Sequence, residues 1–166
     1  MNTAYKNMRD FWLDAKNLEN KKGVPTAGEY DVCIAGVEMA MRDEQGYVKN
    51  LLVAGSTLGD SSMYFENQSE SGLGGFLGND KAKDIALKMI AEAAKMPGQM
   101  EPSQGLPELK DTEHVLLFTV SKDGRVFRKE LLEKDARNPE NPFYPFFAYS
   151  QQLIGVFRSH PSCGCR

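Results

Sequence analysis

The spacing of apolar positions along this chain changes several times, and each change marks an element. Residues 4–18 carry Ala4, Met8, Phe11, Trp12 and Ala15 at three- and four-residue spacing, which predicts an N-terminal helix with one apolar face. Residues 20–28 (NKKGVPTAG) read as a connector. From 29 to 43 the period becomes two. Tyr30, Val32 and Ile34 alternate, then Val37, Met39 and Met41 alternate one position out of phase, so a long first strand is predicted. The slip falls at Gly36, which predicts a bulge and a change of face there. A turn at 43–46 (DEQG) leads into a second strand at 47–56, and 63–67 (MYFEN) reads as a short third.

Residues 68–78 form a polar, glycine-rich loop that enters the clearest helix of the chain, 79–96. Asn79 or Asp80 can cap it, Ala82, Ile85, Ala86, Met89, Ile90 and Ala93 make one apolar stripe, and Pro97-Gly98 stops it. A loop at 97–111 precedes a fourth strand at 114–121 (HVLLFTVS), apolar enough to be buried on both faces. Lys122-Asp123-Gly124 is a strong hairpin signal before a fifth strand at 125–132. A proline-punctuated linker at 135–145 and a helix at 146–157, with Phe146, Tyr149, Leu153 and Phe157 on one side, complete the pattern.

Three strands, a helix and two strands predict an α+β, mainly β fold: a five-stranded barrel with its helix between strands three and four, plus N- and C-terminal helices. The chain reads as a single domain. Residues 1–20 hold the N-terminal helix, 28–133 the barrel core, and 134–166 a C-terminal extension with a flexible tail. This order matches the oligonucleotide/oligosaccharide-binding barrel. The residues also resemble a phage and prophage family of single-stranded-DNA-binding, recombination-accessory proteins. The resemblance covers about residues 8–130. It is carried by Phe11-Trp12, by Pro25, Gly28, Tyr30, Val32 and Ile34 at the entry to the first strand, and by Ile85, Ala86, Ile90, Ala94 and Gly98 in the central helix. It implies single-stranded DNA as the partner, with a recombination or host protein as a further one. The glycine-rich 69–78 loop and the end HPSCGCR, which lacks an acidic partner-recruiting tail, depart from that pattern.

Composition narrows the function. A net charge of −3 gives no global attraction to nucleic acid or anionic lipid, so nucleic-acid binding needs a local basic surface. No apolar run reaches the roughly 18 residues of a membrane span, and the charged start lacks a signal-peptide core, so a cytoplasmic protein with no membrane partner is expected. Three cysteines argue against a complete disulfide framework, with Cys33 a small buried residue of the first strand.

The fifth strand carries the most suggestive chemistry. Arg125, Phe127 and Lys129 alternate and so share a face, where cations can meet phosphates while the ring stacks on a base. Lys122 extends this set; Tyr47 and Lys49 repeat the pairing on strand two, beside Arg42, and Tyr64 lies on strand three. A nucleic-acid face built from Arg42, Tyr47, Lys49, Tyr64, Lys122, Arg125, Phe127 and Lys129 is the leading expectation, against a core role for Phe127 and Tyr64 with a solvated charged rim.

The loop before the central helix reads first as a mobile loop; its alternative is an anion or nucleotide site at Gly74, Gly75, Gly78 and Asn79, which lacks the Lys-Ser/Thr of a P-loop. His160, Cys163 and Cys165 are candidate metal ligands without the usual zinc-knuckle spacing. Glu38/Asp43 and Glu130/Glu133 read as surface charge. No residue set supports catalysis, no cofactor is implied, and the oligomeric state stays open. The rival functions are a protein-interaction module, such as an inhibitor, immunity or anti-defence protein, and a binder of small phosphorylated ligands.

Overall fold

A computed structural model describes residues 1, 3–18, 23, 25–26, 28–42, 44–66, 79–109 and 111–159, and the backbone of 72–75. The element order is α1 (Thr3–Leu13), β1 (Val32–Arg42), β2 (Val48–Ser56), β3 (Ser61–Phe65), β4 (Gly72–Gly75), α2 (Asp80–Ala93), β5 (Glu101–Ser103), β6 (His114–Ser121), β7 (Val126–Leu132), α3 (Glu133–Ala136) and α4 (Tyr144–Ser159). Single 3-10 turns follow α1 at Ala15–Leu18 and α2 at Pro97–Gln99. The fold is α+β and mainly β. The strands make one antiparallel sheet in the order β4-β3-β2-β1-β6-β7-β5.

The expected five-stranded closed barrel gives way to this open sheet, whose end strands, β4 and β5, have one strand neighbour each among the described residues. The physical reason is that both faces of the sheet are already covered. Ala35, Val37 and Met39 of β1 join Leu51, Val53, Val115 and Leu117 under α2 and α4. Ile34, Leu52, Ala54, Leu116, Phe118 and Val120 are buried too, and most of them lie in a second core with Tyr5 and Trp12 of α1. A sheet that helices bury on both sides need not roll up to form an interior.

Covering both faces also explains the phase slip in β1. The register of β1 with β2 and β6 runs through Gly36 without interruption, and the irregularity lies between Val32 and Ile34 instead. The apolar set changes sides because alternate residues enter two cores. Gly36 instead permits close packing. A Cβ there would lie 2.5 Å from the Phe118 ring and 2.6 Å from the Val53 carbonyl oxygen.

The central helix matches its sequence pattern. Its buried residues are Ala82, Ile85, Ala86, Met89, Ile90 and Ala93, and the Asn79 side chain accepts from the Ala82 N–H at 3.0 Å. The N-terminal helix differs. It ends at Leu13, and its buried face is Tyr5, Arg9 and Trp12, while Phe11 is 47% exposed. Two segments read as loops contribute the short strands β4 and β5, and part of the expected linker forms α3.

Candidate nucleic-acid interface

The β6–β7 hairpin builds the most concentrated group of candidate residues. Gly124 turns the chain at φ +86°, a value that suits glycine, and the Arg125 carbonyl accepts from the Ser121 N–H at 2.9 Å. Asp123 then organises Arg125: its carboxylate accepts from the Arg125 N–H at 3.2 Å and from Nε at 2.7 Å. These contacts, the backbone N–H foremost, hold the Asp123 carboxyl below its ordinary range. So anchored, the Arg125 guanidinium lies 5.3 Å from the centre of the Tyr30 ring and 5.9 Å from that of Phe127. The two rings meet at 4.9 Å with a 60° tilt. Tyr30, Arg125 and Phe127 share an open groove of about 750 Å³ with Pro102, Ser103 and Gln104 of the β5 segment.

Lys129 sits two residues further on, its Nζ 6.0 Å from the Phe143 ring centre, and does not line the groove. Lys122 flanks the hairpin and pairs with Asp31 at 3.2 Å.

The other candidates lie elsewhere. Arg42 donates to the Gly46 carbonyl at 3.1 Å, Tyr47 is 54% exposed, and Lys49 rests 6.0 Å from the Phe65 ring centre. These three belong to the β1–β2 turn, where Arg42 pairs with Val48, whereas the β6–β7 hairpin lies at the Val32 end of β1. At about 3.3 Å per residue, the ends of an untwisted strand of this length stand roughly 33 Å apart. Tyr64 is 5% exposed and packs in the α1-side core, so its ring offers no open face for stacking. Phe127 is also 5% exposed and serves as floor rather than platform.

Thus the structure gathers Lys122, Arg125 and Phe127, sets Arg42, Tyr47 and Lys49 at a second location, and buries Tyr64. It adds Tyr30, which the sequence pattern assigned only to the apolar face of the first strand. Tyr30 precedes β1 and packs on the α2/α4-side core, whereas Ile34 belongs to the opposite core. Its pairing with Phe127 is long-range, and no local signal announces it.

Gly74 and Gly75 form part of β4, paired with Met63 and Ser62, and Gly78 lies outside the described residues. The Asn79 side chain is occupied as the α2 cap. His160, Cys163 and Cys165 lie outside the described residues, among which no group of three or more His, Cys, Asp or Glu could hold a metal. Cys33 is buried, and burial pushes its thiol up to about 11.

Glu38 is the clearest correction to the sequence reading. It is not surface charge but fully buried, accepting from Arg9 Nη2 at 2.6 Å, Arg9 Nε at 3.0 Å and the Tyr5 hydroxyl at 2.8 Å. Arg9 also donates to the carbonyls of Leu106 at 2.9 Å and Pro107, tying α1 to the 104–109 loop. Burial raises the Glu38 carboxyl and Tyr5 hydroxyl pKa values, against the pull of the Arg9 charge. Asp43, its supposed partner, lies outside the described residues. Glu133 receives Arg137 at 2.6 Å.

No helix among the described residues is long and apolar enough to cross a membrane. Compared with protein-family models and with curated proteins, the chain matches none.

Proposed function

We propose that this protein binds single-stranded DNA without sequence preference, with the groove at the β6–β7 hairpin as its principal contact. One observation carries the reading: a guanidinium held by Asp123 lies over two touching rings at the wall of an open groove. Single strands are bound by such pairings, because every base has a face to stack and every nucleotide a phosphate. The plane of Arg125 offers a base a stacking surface in place of a bare ring, while Lys122 and Lys129 supply charge on either side along the hairpin. A nonspecific binder of this kind suits an accessory role in phage recombination or replication, which the sequence resemblance implies.

The experiment is an anisotropy titration of labelled oligo-dT with wild type and Arg125→Ala. Loss of the stacking plane and its charge is expected to weaken binding by about tenfold, taking stacking at roughly 1–3 kcal/mol per base. An Arg125→Ala protein that binds as tightly as wild type would remove the groove from the account.

A further inference from the structure

A second cavity, of about 460 Å³, lies between the far end of β1 and α4. Its composition differs from that of the hairpin groove. Arg42, Arg137 and Arg158 line it against one carboxylate, Glu133. The sequence places these groups by simple periodicity. Gln151, Ile154 and Arg158 fall three and four residues apart on α4, which puts them in one row, and Arg137 follows Glu133 by four.

Arg137 is neutralised, since its Nε and Nη2 donate to Glu133 at 2.9 and 2.6 Å while the guanidinium rests 5.5 Å from the Phe147 ring centre. Arg42 and Arg158 are not. Arg42 donates to a carbonyl at 3.1 Å, Arg158 reaches the Met41 sulfur at 4.0 Å, and neither meets a carboxylate among the described residues. The Gln151 side-chain NH₂ is a buried donor with no acceptor among those residues. Among the described residues, two guanidinium charges in excess thus share one cavity whose remaining wall includes Met39, Leu51 and Ile154.

We infer that this cavity binds a phosphomonoester carried on an apolar body of mononucleotide size. Guanidinium forks match phosphate oxygens two at a time, and a doubly charged monoester balances the two surplus charges. The apolar wall then covers the rest of the ligand, in a volume within the usual range for small-molecule sites. The site is separate from the hairpin groove, and its lining includes none of the glycines offered as an alternative anion site. It stands whether or not the groove binds DNA.

Calorimetric titration of the full chain at low salt tests this with dTMP, thymidine and inorganic phosphate. A parallel pair of oligo-dT strands, one with a 5′-phosphate and one with a 5′-hydroxyl, distinguishes the two sources of a monoester. The expected result is dTMP binding tighter than that of inorganic phosphate, and thymidine binding at least tenfold weaker. Arg42→Ala and Arg158→Ala should each weaken dTMP by about tenfold, the usual worth of one charge-assisted contact. A preference for the 5′-phosphorylated strand that Arg158→Ala removes would assign a strand end as the ligand. dTMP binding without that preference would assign a free nucleotide-like molecule. Equal affinity for dTMP and thymidine would overturn the inference, as would inorganic phosphate binding as tightly as dTMP. So would full dTMP affinity in Arg42→Ala and Arg158→Ala proteins whose thermal unfolding matches wild type.

Discussion

Glu38 and Arg9 show how one residue's setting decides its meaning. A carboxylate at an alternate strand position reads as solvent-facing only if that face meets water, and here α1 covers it with Arg9 and Tyr5. Arg9→Ala would leave a buried carboxylate without its counter-charge, so a loss of about 3–5 kcal/mol is predicted in urea unfolding; a loss below about 1 kcal/mol would contradict this account of the pair. Replacing Glu38 and Arg9 together by apolar residues should recover much of the loss. His114 offers a milder residue-scale test. The Asp111 carboxylate 2.8 Å from its Nδ1 raises its pKa above 6.5. A raised folded-state value means that the group's stabilising contribution is present below pH 6.5 and fades as pH climbs through the raised pKa. Asp111→Asn should bring the His114 ring titration, followed by NMR, back down towards 6.5.

At the scale of elements, what could be read from sequence depended on how many faces were buried. In α2 one face is buried, so the apolar stripe, the Asn79 cap and the proline stop all point to the same helix, and the six stripe residues are those found buried. In β1 both faces are buried, and the same period-two logic misreads alternate core entry as a change of face at Gly36. β4 and β5 have too few residues, and too much glycine and proline, to carry a period. Arg125 and Phe127 were legible as a pair because strand alternation is local. Tyr30 was not, because its partner lies across the sheet and far along the chain. Gly36→Ala tests the element-scale account. With a Cβ forced to 2.5 Å from Phe118, overpacking should cost about 1–3 kcal/mol in urea unfolding, and an unchanged midpoint would mean that the ring moves aside freely.

For the molecule as a whole, the open sheet sets both the stability and the placement of chemistry. With α2 and α4 on one face and α1 on the other, the hairpin groove and the arginine-lined cavity fall at the two ends of β1. Under the proposed function, a chain of net charge −3 would meet DNA through one hairpin rather than an encircling basic surface. That arrangement predicts a modest electrostatic contribution. Three cations, Lys122, Arg125 and Lys129, the first two already paired with Asp31 and Asp123, should release few counterions from a single strand, which gives a slope no steeper than about −2 for log Kobs against log salt. The deciding measurement is oligo-dT affinity across a series of salt concentrations. Binding at low salt with a slope no steeper than about −2, reduced in Arg125→Ala, is the predicted result; no binding at low salt, or an affinity indifferent to salt, would contradict the account.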